Sequence, residues 1–256
     1  MLMVLSPAKK LDFDSPLRVT AHTQPLFLEQ ANELVGHLQG LGPAGLARLM
    51  KLSDALAELN AQRYAGWVRQ PDLQHARQAV LAFDGDVYAG LQAHTLDGQQ
   101  LAWAQDHLAL LSGLYGVLRP LDLIQPHRLE MGTRLKTGRG AHLYAWWGAQ
   151  ITEALNRRLD GLPGERVLLN LASAEYFKAV QVPLLQARVI ECVFQDLKDG
   201  VWKVIGIRAK RARGLMARYV IQRQPESPEQ LCDFTAEGYA WDAANSDDAR
   251  LVFRRG

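Results

Sequence analysis

The sequence predicts an α/β fold, of mixed α+β character, in which helices flank a mixed sheet. Three observations lead there. Short apolar runs at Leu2–Leu5, Leu108–Leu111 and Arg166–Leu171 have the length and bounding residues of strands buried on both faces. Segments with helical spacing alternate with them. One block, from about residue 25 to 65, is helical throughout, so the helices are not all crossovers between strands.

In chain order, Leu2–Leu5 is ended by Ser6-Pro7 and reads as the first strand. Between Pro25 and Asn60 three helices are expected. The first carries Leu26, Leu28, Leu34, Val35 and Leu38 and is punctuated by Gly40 and Gly42. The second opens at Pro43, the favoured first position, and runs to Leu52. Ser53 is placed to cap the third, from Asp54 to about Arg63. A strand ending at Phe83 and a short helix over Val87–Gln92 follow. Val117–Thr133, with two prolines and no clean period, reads as a long ordered loop, and Leu143–Leu159 as one amphipathic helix. Ala187–Phe194 and Val201–Ile207 are β-rich runs joined by Asp199-Gly200, a hairpin signal. A basic helix over Ala209–Gln222, a short helix at Glu229–Phe234 and a strand at Leu251–Phe253 complete the chain. The whole is expected to form one domain, residues 1–256, with a helical subdomain at about 25–65.

Of the 256 residues 48% are hydrophobic and 22% charged, which suits a folded globule, and no stretch approaches the ~18 apolar residues of a membrane span. The N-terminus MLMVLSPAKK places its apolar residues before its lysines, the reverse of a secretory signal, so a cytoplasmic location is expected. Cys192 and Cys232 share no metal or redox spacing, and Cys192 sits in an apolar run where a buried, inert thiol is expected. The seven histidines are scattered. His127 and Glu130 alone are too few for a metal site, so neither metal nor cofactor is expected. A net charge of +2 and a pI near 8.6 are only mildly basic, and anion binding must come from local clustering.

The most suggestive cluster is Arg208, Lys210, Arg211, Arg213 and Arg218, in a stretch with no acid between Asp199 and Glu226. It suits either a phosphate-contacting surface or a solvated basic face. Helical phasing forbids all five from sharing one side. Arg211 and Arg218, seven apart, do share one, and Gly214 suggests close approach by a backbone or a ligand. Arg119 and Arg128 lie on a Pro-bounded path after Ser112-Gly113-Leu114-Tyr115-Gly116, and guanidinium groups suit phosphate or carboxylate. Lys9 and Lys10 follow the first strand. Asn170, Ser173, Glu175 and Tyr176 follow the Arg166–Leu171 strand, where α/β folds often hold anions. Asp84 and Asp86 read as a solvated turn more readily than as an acid/base pair. Lys51, between two short helices, can face a phosphate, although an ordinary helical hairpin explains it as well.

SPAKKLDF (Ser6–Phe13), LMKLS (Leu49–Ser53), LSGLYGVLRPLDLIQPHRLEMG (Leu111–Gly132), NLASAEY (Asn170–Tyr176) and KRARGLMARY (Lys210–Tyr219) together resemble the YaaA peroxide-stress family, nearly end to end. The resemblance implies a cytoplasmic protein that limits hydrogen peroxide damage by keeping free intracellular iron low. It also implies duplex-DNA binding, a positively charged cleft and a helix-hairpin-helix element, placed at about residues 36–64, whose usual glycine is absent here. It carries over no catalytic residue set.

Two readings of function follow. In the first, Lys9, Lys10, Lys51, Arg119, Arg128, Arg208, Lys210, Arg211, Arg213 and Arg218 converge on one cleft and contact DNA phosphates. In the second, an enzyme acts on a nucleotide or other small anion, with Asn170, Ser173, Glu175 and Tyr176 in a pocket and Arg119 and Arg128 clamping the anion. The second requires a small-molecule-sized cavity. Direct iron sequestration ranks last, for want of clustered ligands.

Overall fold

The computed structural model describes all 256 residues. Strand β1 (Leu2–Leu5) is wholly buried, and β2 (Lys10–Leu11) follows at the surface. The helical block is α1 (Leu28–Gln39), α2 (Gly42–Met50) and α3 (Asp54–Ala65), close to the expected bounds. Lys51 ends α2 in the left-handed conformation (φ 54°), and Ser53 precedes α3 in extended geometry without a side-chain capping bond.

Next come β3 (Arg77–Gln78), α4 (Ala79–Ala82), β4 (Phe83–Asp84), α5 (Asp86–Leu91) and α6 (Gly98–His107). Two expectations change here. The apolar run Ala79–Ala82 is a helical turn, not a strand, because four apolar residues suit either structure and tertiary packing chooses. Helix α6 was not anticipated, although Asp97 and Gln100 form a reciprocal capping box at its start, a signal present in the sequence.

The chain continues through β5 (Leu108–Ser112), β6 (Gly116–Leu118) and β7 (Leu123–Ile124). The supposed loop Val117–Thr133 therefore contains two short strands. The single helix expected over Leu143–Leu159 is two, α7 (Leu143–Trp147) and α8 (Gln150–Asp160), broken at Gly148, whose φ is 49°. Strand β8 (Val167–Leu171) leads into the four-residue α9 (Ala174–Phe177), and β9 (Arg188–Lys198) turns back through Asp199-Gly200 into β10 (Val201–Lys203). Both turn residues have positive φ (56° and 74°), as the tightest hairpins demand. The basic helix α10 (Gly206–Arg223), β11 (Ala240–Trp241) and β12 (Arg250–Arg255) finish the fold; Pro228–Asp233 is a 3-10 helix.

The eight-stranded sheet has the order β11-β12-β9-β8-β1-β5-β6, with β10 paired to β9. From β12 to β5 every neighbour is parallel; β6, β10 and β11 run antiparallel to their partners. The sheet is therefore mixed and mostly parallel. Strand β1 sits between β5 and β8, so chain segments leaving their carboxyl ends emerge side by side at one edge, where α/β sheets place ligands. A core of 63 buried residues joins the sheet to Leu34, Leu46 and Tyr64 of the helical block.

Helix α10 crosses α5 at a pair of glycines. A Cβ added at Gly214 would lie 1.8 Å from the Val87 carbonyl oxygen, and one at Gly90 would lie 2.2 Å from that of Arg211. The close approach expected at Gly214 is thus helix on helix.

Candidate anion-binding cavity

At the carboxyl edge of β1, β5 and β8 lies a cavity of about 670 Å³, within the range of small-molecule sites. Its floor is the junction of two loops. The Ser6 hydroxyl oxygen accepts the Ser173 N–H at 2.8 Å and donates to Ser173 Oγ at 3.2 Å, tying the loop after β1 to the loop after β8. Tyr88 of α5 donates to the Ser6 carbonyl at 3.1 Å. Asn170 stays in β8, where its Oδ1 accepts the Ala172 N–H at 3.0 Å and fixes the turn. It does not line the cavity.

One wall is the strap His127–Glu130. It crosses the end of β5 because residue 113 is glycine; a Cβ there would stand 2.3 Å from the Leu129 carbonyl oxygen. Helix α3 holds the strap through Tyr64, whose hydroxyl donates to the Arg128 carbonyl at 2.6 Å. Glu175 reaches across from α9, its Oε1 accepting the Gly132 N–H at 2.9 Å, while Tyr144 donates to the Glu175 carbonyl at 2.9 Å. Burial beside Glu175 and Glu130 raises the Tyr176 hydroxyl pKa, keeping it a neutral donor. His127 is buried, and its Nδ1–H donates to the Gln125 carbonyl at 2.8 Å. Since a carbonyl only accepts, the tautomer is set and Nε2 carries the lone pair. Burial lowers the pKa of this ring to about 4, so it is neutral at pH 7.

Charge in the cavity is mixed rather than uniformly positive. Lys9, Lys10, Arg128, Lys210 and Arg213 line it, and so do Asp84, Asp86, Glu130 and Glu175. Lys9 pairs with Glu130 at 3.1 Å, Lys10 with Asp84 at 2.5 Å and Arg128 with Glu130 at 3.4 Å. The two lysines are mostly exposed, so each pair contributes little to stability and yields readily to a bound anion.

The structure does not bring the other candidates here. Arg119 follows β6, which runs antiparallel to β5, so its strand end points to the opposite edge of the sheet. There it pairs with the buried Asp122 at 3.1 Å. Lys51 is exposed at the end of α2. Arg208 pairs with the buried Asp196 at 3.2 Å, and Arg211 with Glu237 at 2.6 Å. Arg211 and Arg218 do share one side of α10, but that side faces α5. Arg211 donates to the Ala89 carbonyl, and Arg218 to the Leu91 and Gln92 carbonyls and Thr95 Oγ1. They satisfy the carboxyl end of a helix. The basic stretch is therefore not uncompensated. Its acids lie outside the local sequence.

Sequence reasoning had missed His127 as part of this site and had set Asp84 and Asp86 aside as a solvated turn. Asp84 ends β4 and His127 follows β7, short antiparallel strands outside the main sheet, so no strand-end rule marked them.

A family model described as "Peroxide stress protein YaaA" matches residues 1–245. The chain belongs to this family. Relatives named UPF0246 proteins are similar throughout. One from Bordetella pertussis (strain Tohama I) is 60% identical over 255 residues, covering 100% of this chain and 99% of its own. Another, from Paracidovorax citrulli, is 58% identical over 258 residues (100% and 98%). A third, from Burkholderia mallei, is 56% identical over 256 residues (100% and 98%). Membership in the YaaA family is consistent with a role in peroxide stress, and the family match spans every segment that lines the cavity. No helix is long and apolar enough to cross a membrane.

Proposed function

We propose that this chain serves peroxide stress as a duplex-DNA-binding protein that limits oxidative damage and helps keep free intracellular iron low, acting in the cytoplasm. The observation that carries the reading is the gathering of five cations from three separate segments, Lys9, Lys10, Arg128, Lys210 and Arg213, around one cavity. Lys51, at the turn between α2 and α3, is a further phosphate contact on this reading. Contacts of this kind are to the DNA backbone, so binding is led by shape and charge rather than by base sequence. No three His, Cys, Asp or Glu side chains are grouped to hold a metal ion.

Raising salt from about 50 to 200 mM should weaken duplex binding by roughly a hundredfold or more if five phosphates are contacted. Lys9→Gln and Lys10→Gln should each reduce the salt slope by about one. A flat salt dependence in a fluorescence anisotropy titration would sink the proposal.

A second reading, an enzyme or binder of a nucleotide or other small anion, is favoured by the size of the cavity and by Ser173, Glu175 and Tyr176 on its wall. Measurable affinity for mononucleotides would support it.

A further inference from the structure

Helix α10 sorts its cations. Arg208, Arg211 and Arg218 all have protein partners, carboxylates for the first two and carbonyl and hydroxyl oxygens for the third. Lys210 and Arg213, which line the cavity, make no ion pair or hydrogen bond with the protein. For exposed Lys210 this means little. Arg213 is different, because it is partly buried, with the Glu191 carboxylate close enough to favour its charge but not bonded to it. Its donors are therefore left for acceptors that a ligand in the cavity would bring. Planar, five-donor guanidinium groups fit phosphoryl oxygens two at a time.

An independent observation concerns His127. It is 7% exposed, its Nδ1–H is committed to Gln125, and its Nε2 has no protein partner. His127 lines the cavity, and Nε2 is its one ring nitrogen left without a protein partner. A fixed neutral imidazole presenting a lone pair accepts a hydrogen bond from an amino or hydroxyl group. The ligand implied has an anionic end and a donor-bearing body, and about 670 Å³ accommodates something of nucleotide size.

We propose that the cavity is a nucleotide site in which Arg213 and Lys210 hold the phosphate and His127 Nε2 accepts a hydrogen bond from the remainder of the molecule. This rests on the small-anion reading of the same cavity. The same chemistry belongs to a free mononucleotide and to the 5′-phosphorylated end of a DNA strand.

Isothermal titration of the full chain with inorganic phosphate, deoxyadenosine 5′-monophosphate and a short DNA hairpin, with and without a 5′-phosphate, tests it. The mononucleotide should bind, and Arg213→Gln and Lys210→Gln should each weaken it about tenfold. Arg223→Gln, which removes an exposed charge from the same helix outside the cavity, should change affinity less than twofold. His127→Phe should weaken the mononucleotide but not inorganic phosphate. A clear preference for the phosphorylated hairpin assigns the site to DNA ends, and equal binding of both hairpins assigns it to free nucleotides. Lys210 is exposed, so its variant reports on binding even if Arg213→Gln folds poorly, and Arg213→Lys should then restore part of the affinity. Mononucleotide binding that neither the Arg213 nor the Lys210 variant weakens overturns this assignment and leaves the small-anion reading standing. If the wild-type chain binds neither mononucleotide nor phosphorylated hairpin, both fall.

Discussion

His127 shows how much one residue's surroundings determine. In the sequence it is one histidine near one carboxylate. In the structure, burial lowers its pKa from 6.5 to about 4, and the Gln125 carbonyl fixes its tautomer. Because the folded-state pKa lies below the unfolded one, the contribution to stability is complete above pH 6.5 and is lost as pH falls toward 4. Its size is about 3 kcal/mol. Denaturant unfolding of the wild type across that window should show the decline, and His127→Phe should lose that component while keeping the edge-on ring contact with Tyr115. Cys192 behaves as the sequence suggests. It is buried, burial raises its thiol pKa, and the residue serves as packing.

Among the secondary-structure elements, the α5–α10 crossing depends on two missing side chains. By helix propensity alone Gly214→Ala would stabilise an exposed helix by about 1 kcal/mol. Here the added methyl would strike the Val87 carbonyl, so a loss of about 3 kcal/mol or more is expected. A raised Tm for Gly214→Ala in calorimetry would contradict this packing. Elements with a self-contained signal were legible in the sequence. Strands β1, β5 and β8 are apolar but for Ser112 and Asn170, Asp199-Gly200 announces its hairpin, and α1 to α3 carry their own punctuation. Ala79–Ala82 was ambiguous because four apolar residues have no measurable period. The break between α7 and α8 was hidden because the apolar spacing continues across Gly148.

At the scale of the whole molecule, Asp196 joins parts of the chain that are distant in sequence. It is 1% exposed, accepts two bonds from Arg255 at 2.8 and 2.6 Å and one each from Arg208 and Tyr239. It thereby fastens the last strand and the start of α10 to β9. Asp196→Ala leaves these donors facing one another, and a loss of about 3 kcal/mol is expected, at the lower end for buried pairs because Arg208 is half exposed. The midpoint of urea unfolding measures it. The candidate site was half legible at this scale. Lys9, Lys10, Arg128, Ser173, Glu175 and Tyr176 were placed by the rule that parallel sheets bind ligands at their carboxyl edge, and they do meet there. Arg119 broke the rule because β6 folds back antiparallel on β5 through the short turn Gly113–Tyr115, ahead of Gly116 with φ 69°.

The sequence by itself determined the α/β class, the main strands and helices, and the phase of the basic helix, including the shared side of Arg211 and Arg218. These are local properties, set by side-chain periodicity and turn chemistry within a few residues. Only the tertiary structure decided which of the positive charges remain available to a ligand. The acceptors that satisfy Arg208 and Arg218 lie 12 and 127 residues away along the chain. A charge is neutralised by whatever folding brings within reach, and that depends on topology rather than on sequence neighbours.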